Sequence, residues 1–184
     1  VADGDDGEVF GSTLDPVIER APCDVALVEF EQETIGGPVG LVDAGPHAAT
    51  VAQRAVDFAT VDGGTATLLT VQRPTDDADP VKEGRRMIEW VANRANLDPD
   101  EYEPEVIVSK DLSAAVIDAV TPYDTVCVGL SERSAAERLE FGSTARRVSR
   151  DAPGNVAVVR GQELLNPDDR DRTLADVAAG GDVT

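Results

Sequence analysis

The sequence of 184 residues has little positive charge, and Lys82 and Lys110 are the only lysines among its 16 basic residues. With 36 acidic residues, the formal net charge is −20. A field of that sign repels phosphate groups, so nucleic acid and anionic membrane surfaces are excluded as expected partners. Acidic, lysine-poor surfaces are typical of proteins that work in dense salt, which screens the repulsion between carboxylates. We therefore expect a halophilic protein, with an acidic mesophilic protein as the alternative.

Cysteine, histidine and long apolar runs are also scarce. Cys23 and Cys127 both lie in apolar runs, which predicts two buried, reduced thiols instead of a disulfide framework. The single histidine, His47, leaves no Cys/His cluster for zinc, and we expect it to face solvent at the start of a helix. No apolar run approaches the roughly 20 residues that span a bilayer, and the acidic first residues do not resemble a signal peptide. We therefore expect a cytoplasmic location.

Motifs of catalysis are missing as well. The sequence contains no nucleophile elbow with a Ser-His-acid set and no G-x-x-x-x-G-K-[ST] phosphate loop. We therefore predict that the chain is not an enzyme. A weak phosphotransfer or hydrolase activity ranks behind the two binding functions described below.

What the sequence does contain is a regular alternation of short apolar runs and helical patterns. Runs without polar alternation are typical of parallel strands that are covered on both faces, and parallel strands need crossover helices. The pattern therefore predicts an α/β fold with a doubly wound, five-stranded parallel sheet. The predicted strands are 38–42, 65–71, 104–109, 124–130 and 155–159, and the predicted helices are 51–59, 81–95, 112–120 and a segment running from 142 towards 151. The acidic tail, 161–184, is predicted to be mostly disordered.

One stretch of sequence occurs twice. Residues 10–28 align without a gap to residues 141–159, at the offset of 131 that separates Gly11 from Gly142. Identical residues at that offset indicate a tandem duplication, so we interpret residues 1–31 as the last helix and strand of a preceding unit. A strand left over from another sheet exposes its hydrogen-bonding edge. We expect it to pair with the strand 155–159, either of its own chain or of a symmetry mate.

The ordered run of VGLVDAGPH, LLTV, VCVGLSE and FGST…AP…VAVVR resembles the universal stress protein (UspA-like) family over residues 38–160. The resemblance implies the adenine nucleotide alpha hydrolase-like, Rossmann-like fold with strand order 3-2-1-4-5. Nucleotide-binding members of the family carry G-x-x-G-x9-G-[ST]. In this sequence Gly129 fits the first glycine, and Gly142 with Ser143 fits the last pair, but Glu132 occupies the place of the second glycine.

The predicted nucleotide site lies where the strand order reverses, at the carboxyl ends of the first and fourth strands. Asp43 could accept hydrogen bonds from ribose hydroxyls, and the helix that opens at Gly142 offers backbone N–H groups to phosphate. The carboxylate of Glu132 would add bulk and like charge beside the phosphates. The alternative is structural, with Ser143 or Thr144 as a helix cap and Asp43 as a turn residue. The predicted cofactor-binding residues are Asp43, Ala44, Val71, Gly129, Glu132, Gly142, Ser143 and Thr144, with Val71 lining an adenine pocket.

Two functions remain as candidates. The first is a regulatory or interaction domain in which nucleotide binding is weak or lost because of Glu132, and the second is a working sensor of AMP or of ATP with Mg²⁺. The resemblance implies pairing through the last strands, as a homodimer or as a pseudo-dimer with an adjacent domain of the same family. Tandem domains of this family occur as cytoplasmic tails of membrane transporters, including amino-acid permeases, so we expect a longer parent protein. A haloarchaeal-type tandem stress protein that stands alone is the competing context.

Overall fold

The computed structural model describes residues 21, 23–75, 78–130 and 144–161. Within this part of the chain, no helix is long and apolar enough to span a membrane. Six strands and four helices are described, and they follow one another in the alternating order that the sequence predicts. In chain order they are β1 (Val25–Glu29), β2 (Pro38–Leu41), α1 (Ala48–Val61), β3 (Ala66–Gln72), α2 (Pro80–Arg94), β4 (Tyr102–Val108), α3 (Leu112–Val120), β5 (Thr125–Gly129), α4 (Thr144–Asp151) and β6 (Asn155–Arg160).

All six strands form one sheet with the order β1-β6-β5-β2-β3-β4. The strands β2 to β6 are parallel to one another, and their order is the predicted 3-2-1-4-5 when they are counted along the family domain. The α/β fold and its strand order are therefore confirmed. The sheet has six strands, however, because β1 adds to the edge of β6 in the antiparallel direction.

Each face of the sheet carries its own apolar core. Successive strand residues point to opposite faces, so neighbours such as Leu68 and Leu69 belong to different cores. The helices α1 and α2 cover the Leu68 face, where Ile88 and Val91 are fully buried. On the Leu69 face, Val120 comes from the end of α3, and α4 contributes buried Ala145 and Val148. This two-sided burial explains why the strands read as continuous apolar runs.

Local sequence determines where two of the helices begin. At α2, the Asp79 carboxylate accepts hydrogen bonds from the backbone N–H groups of Val81 (3.0 Å) and Lys82 (3.3 Å), and Pro80 fixes the first helical residue. At α3, the Asp111 carboxylate accepts from the N–H group of Ala114 at 3.1 Å. Both aspartates provide acceptors for N–H groups that a first helical turn leaves without partners.

The strand β1 pairs with β6 of the same chain, which is one of the two pairings expected from the repeat. Val25 lies opposite Arg160, Leu27 opposite Val158 and Glu29 opposite Val156. The connector from β1 to β2, residues 30–37, is then bound by side chains at the amino ends of β5 and β6. As a result, β1 is attached to the domain both by its ladder and by the segment that follows it.

The prediction that both cysteines are buried was wrong for one of them. Cys127 is buried within β5, as its apolar run predicts, and burial raises the pKa of its thiol to about 12. Cys23, by contrast, is exposed just before the edge strand β1. An apolar run predicts a strand, but its burial depends on whether elements cover both sides of that strand.

Candidate functional site

The candidate nucleotide site is at the carboxyl edge of the sheet. The neighbouring strands β2 and β5 are parallel, with Leu41 opposite Val128, so Asp43 and Gly129 follow this pair at the same edge. On one side of this pair the chain continues to β3 and β4, and on the other to β6. Asp43 and Gly129 therefore flank the point where the strand order reverses, which is where open α/β sheets usually bind ligands.

The other predicted site residues are only partly described. Ala44 is exposed next to Asp43, and Val71 is half-buried near the carboxyl end of β3, one strand away from β2. Thr144 is the exposed first residue of α4. The remaining three predicted residues, Glu132, Gly142 and Ser143, lie outside the described residues.

The side chain of Asp43 already has a local partner. Its Oδ1 atom accepts a hydrogen bond from the backbone N–H group of Gly45 at 2.7 Å, which is the geometry of an Asx turn. The turn leads directly into α1. Asp43 is exposed, so its carboxylate can also meet solvent or a ligand. The structural role that the sequence left as an alternative for Asp43 is therefore present, and it does not exclude a ligand role.

Gly129 also has a structural reason to be glycine. A Cβ atom at this position would lie 3.3 Å from the Cβ of His47 and 3.5 Å from the Cγ2 of Val51, both on the α1 side. The first of these distances is tighter than most Cβ contacts, so a larger residue would push against the first turn of α1. The absence of a side chain at 129 therefore serves the packing of β5 against α1, whether or not a ligand approaches from the open edge.

The structure places His47 differently from the sequence prediction. His47 is only 2% exposed, although we expected it to face solvent at the start of a helix. That prediction was wrong because the end of β6 crosses the residues at the start of α1. The backbone N–H group of Gly161 donates a hydrogen bond of 3.0 Å to His47 Nδ1. No local sequence signal could have revealed this contact, because the two residues are far apart in the chain.

The environment of His47 favours its neutral form. Burial is the main cause that lowers the pKa of His47 below its ordinary value, and the positive charge of Arg160 lowers it further. The carboxylates of Asp43 and Asp24 act in the opposite direction but do not reverse the shift. Because Nδ1 accepts a hydrogen bond, the neutral imidazole carries its proton on Nε2.

Among the described residues, no group of three or more His, Cys, Asp and Glu side chains could hold a metal ion. The described part of the site consists of the exposed turn carboxylate of Asp43 and the backbone at the carboxyl ends of β2 and β5, with Val71 half-buried on the neighbouring strand β3. This arrangement can bind a small polar ligand through backbone groups and the Asp43 carboxylate.

Comparison with known proteins agrees with this architecture. Residues 39–160, about two thirds of the chain, match the family model described as the universal stress protein family. The α/β fold with its parallel-dominated sheet defines the class, and the match, which covers more than half of the chain, shows that the chain belongs to the universal stress protein family. Comparison with curated proteins finds no match at a significant level.

Several solved structures share the fold at low sequence identity. The universal stress protein from Archaeoglobus fulgidus is 21% identical, with a TM-score of 0.54 over 68% of this chain and 98% of that chain. A universal stress protein in complex with cAMP is 19% identical, with a TM-score of 0.50 over 70% of this chain and 99% of that one. A putative universal stress protein from Pseudomonas aeruginosa is 15% identical, with a TM-score of 0.55 over 97% of this chain and 64% of that one.

Proposed function

We propose that this chain is a regulatory domain that pairs with a duplicated unit preceding it, within a longer protein such as an amino-acid transporter. The proposal rests on the register of β1 against β6. Leu27 and Val158 are equivalent positions of the two repeats, at the offset of 131, and they lie directly opposite each other. The flanking pairs are reciprocal. Val25 lies opposite Arg160, the repeat equivalent of Glu29, and Glu29 lies opposite Val156, the repeat equivalent of Val25.

This register has the symmetry of two copies related by a two-fold axis. When a surface of one copy meets the same surface of another, each contact between positions i and j is repeated between j and i. If β1 were unrelated to β6, nothing would require its middle residue, Leu27, to lie opposite the residue that follows it by 131 positions, Val158. The register therefore supports the interpretation of residues 1–31 as the last helix and strand of a preceding unit. A free homodimer that pairs through the same strands is the competing arrangement.

For the candidate site, we propose that nucleotide binding is weak or lost. Glu132 stands where binding members of the family have a glycine, and its carboxylate would meet phosphate in a chain whose net charge is already −20. The features at Gly129 and Asp43 that resemble a ligand site have structural roles in packing and in the turn before α1. They do not require a nucleotide to explain them. We propose no catalytic role for the site.

A working sensor of AMP, or of ATP with Mg²⁺, is the second candidate. It is favoured by the position of Asp43 and Gly129 at the switch point, and by the fact that a solved protein of this fold is in complex with cAMP. Calorimetric titration with AMP and with ATP and Mg²⁺ in molar KCl separates the two candidates. We expect no binding tighter than about 1 mM, which corresponds to roughly −4 kcal/mol.

Three variants define the outcome of that titration. Glu132→Gly should strengthen binding, and Glu132→Gln separates the effect of charge from that of bulk. Micromolar binding by the unaltered chain that Gly142→Val abolishes would establish the sensor and overturn our preference. Steady release of phosphate above a Gly142→Val background would instead establish an enzyme.

The parent gene tests the proposed context. We expect the reading frame before residue 1 to encode the rest of a second universal stress protein domain, whose last strand is β1. Membrane-spanning segments further upstream would support a transporter tail tethered to the inner face of the membrane, and their absence would favour the free-standing tandem protein. An upstream sequence unrelated to this family would contradict the interpretation of residues 1–31.

A further inference from the structure

The imidazole of His47 lies between the candidate site and the strand pair β1–β6. On one side its Cβ packs against Gly129 at the end of β5. On the other side its Nδ1 atom accepts the hydrogen bond from Gly161, the residue that follows β6. A Cβ atom at position 161 would overlap the side chain of Thr50, so β6 ends in close contact with the first turn of α1. One side chain therefore contacts the two regions that the proposed function uses.

Protonation of His47 cannot be accommodated by this arrangement. A proton added to the neutral ring goes to Nδ1, which then becomes a donor and faces the N–H group of Gly161. The charged ring would also be repelled by Arg160, which is 7% exposed and donates to the carbonyl oxygen of Ala21 at 3.1 Å. The two donors repel each other, so protonation removes the hydrogen bond that holds Gly161 against the start of α1.

The charged groups around His47 come from several elements. Arg160 belongs to β6, Asp43 to the turn after β2 and Asp24 to the segment before β1. The two carboxylates favour the imidazolium, whereas burial and Arg160 disfavour it, and the net result is a lowered pKa. Since Asp24 and Asp43 are both exposed, salt and solvent weaken their contribution more than they weaken the effect of burial.

We propose that His47 is a proton-controlled latch that holds the end of β6 on the first turn of α1 when neutral, and releases it when protonated. Release would loosen the carboxyl edge next to Gly129 and the end of β6 at which Arg160 pairs with Val25. The candidate site and the pairing with the preceding unit would thus respond together to acid. The part of the inference that concerns nucleotide rests on the second candidate function, the nucleotide sensor, whereas the latch itself does not.

The direction of the pH dependence follows from the lowered pKa. Above about pH 7.5, one unit above the ordinary histidine pKa of roughly 6.5, the imidazole is neutral in both the latched and the released states, so pH has little effect through this group. Below that value the released state takes up a proton more readily, and the latch weakens until the pH reaches the lowered pKa of the latched state. At pH 5.5 the open fraction should be up to about tenfold larger than at neutral pH.

The experiment uses NMR on the whole chain, in which His47 is the only histidine and gives one imidazole signal. We expect nitrogen shifts typical of a proton on Nε2, and a titration midpoint below 6.5. Exchange of the Gly161 amide, corrected for its intrinsic rate, should increase up to about tenfold between pH 7.5 and 5.5. The variant His47→Gln keeps a neutral acceptor that does not titrate, so its corrected exchange should stay constant with pH.

The controls separate the latch from general acid effects and from nucleotide binding. A change of charge at an exposed helical site, as in Glu83→Gln on α2, should leave the pH dependence at Gly161 as in the unaltered chain. The latch is wrong if His47 titrates at or above 6.5, or if His47→Gln shows the same increase in exchange. His47 could titrate as expected while AMP and ATP bind at no pH. In that case only the sensor alternative fails, because the NMR experiment on the latch contains no nucleotide.

Discussion

The side chain of Asn155 binds the backbone of Gln32, 123 residues earlier in the chain, through a hydrogen bond of 2.9 Å from the Gln32 N–H group to Oδ1. The same oxygen accepts from Glu31 at 3.0 Å, and the amide nitrogen donates to the carbonyl oxygen of Thr34 at 2.8 Å. A further bond of 3.2 Å runs from this nitrogen to Thr125 Oγ1. One fully buried asparagine therefore uses both ends of its amide to fix the connector that follows β1.

Replacing Asn155 should detach this connector. We expect Asn155→Ala to lower the free energy of unfolding by about 1–3 kcal/mol, because it leaves partly buried N–H groups of the connector without an acceptor. Denaturant unfolding in molar KCl measures the loss. Asn93→Ala, on the exposed side of α2, is the matched control and should change stability by less than about 0.5 kcal/mol. Equal stabilities of the two variants would contradict the role of Asn155.

A second prediction concerns Gly154, in the turn before β6. A Cβ atom here would lie 2.5 Å from the backbone oxygen of Asp124 and 3.0 Å from that of Tyr123. Backbone atoms cannot move aside as the end of a flexible side chain can, so we expect Gly154→Ala to destabilise the fold by about 1–3 kcal/mol. Thermal unfolding compares it with Gly64→Ala, whose new Cβ would be 3.8 Å from its nearest neighbour. A melting temperature of Gly154→Ala at or above that of the control would refute the steric argument.

Most of the fold was predictable from sequence because its strands are covered on both faces. Continuous apolar runs such as that around Val126 and Val128 identify buried parallel strands, and the crossover rule then limits their order. The repeat also predicted a pairing partner for β1. These signals are carried by residues within one element or by a gap-free match between two segments, so they can be read without coordinates.

The environment of single side chains was not predictable in the same way. His47 was expected in solvent and is buried, because Gly161 reaches it from the other end of the domain. Cys23 was expected in the core and is exposed, because β1 occupies an edge of the sheet. For Gly129 the sequence suggested a ligand, whereas the structure adds the contact with α1. In each case the deciding neighbour is distant in sequence and comes from an element whose position the local pattern does not specify.

The two cysteines should differ in reactivity. A thiol reacts as its thiolate, and burial raises the pKa of Cys127 to about 12, so almost none of it is ionised at pH 8. Cys23 is exposed and accessible to a reagent. We expect a disulfide reagent to label one thiol per chain in the folded protein and two in denaturant. Cys23→Ser should remove the labelling of the folded chain, and persistent labelling in that variant would show that Cys127 is accessible.

Salt should determine whether the fold is stable. The net charge of −20 makes the compact chain repel itself, and the described part of the structure offsets this with few ion pairs, such as Arg54–Asp57 and Arg150–Asp151. The screening length falls from about 10 Å at 0.1 M to about 3 Å at 1 M salt. We therefore expect the melting temperature to rise steeply between 0.1 M and 2 M KCl. KCl and tetramethylammonium chloride should act alike at equal ionic strength if screening is the cause, and a melting temperature independent of salt would identify an ordinary acidic protein instead.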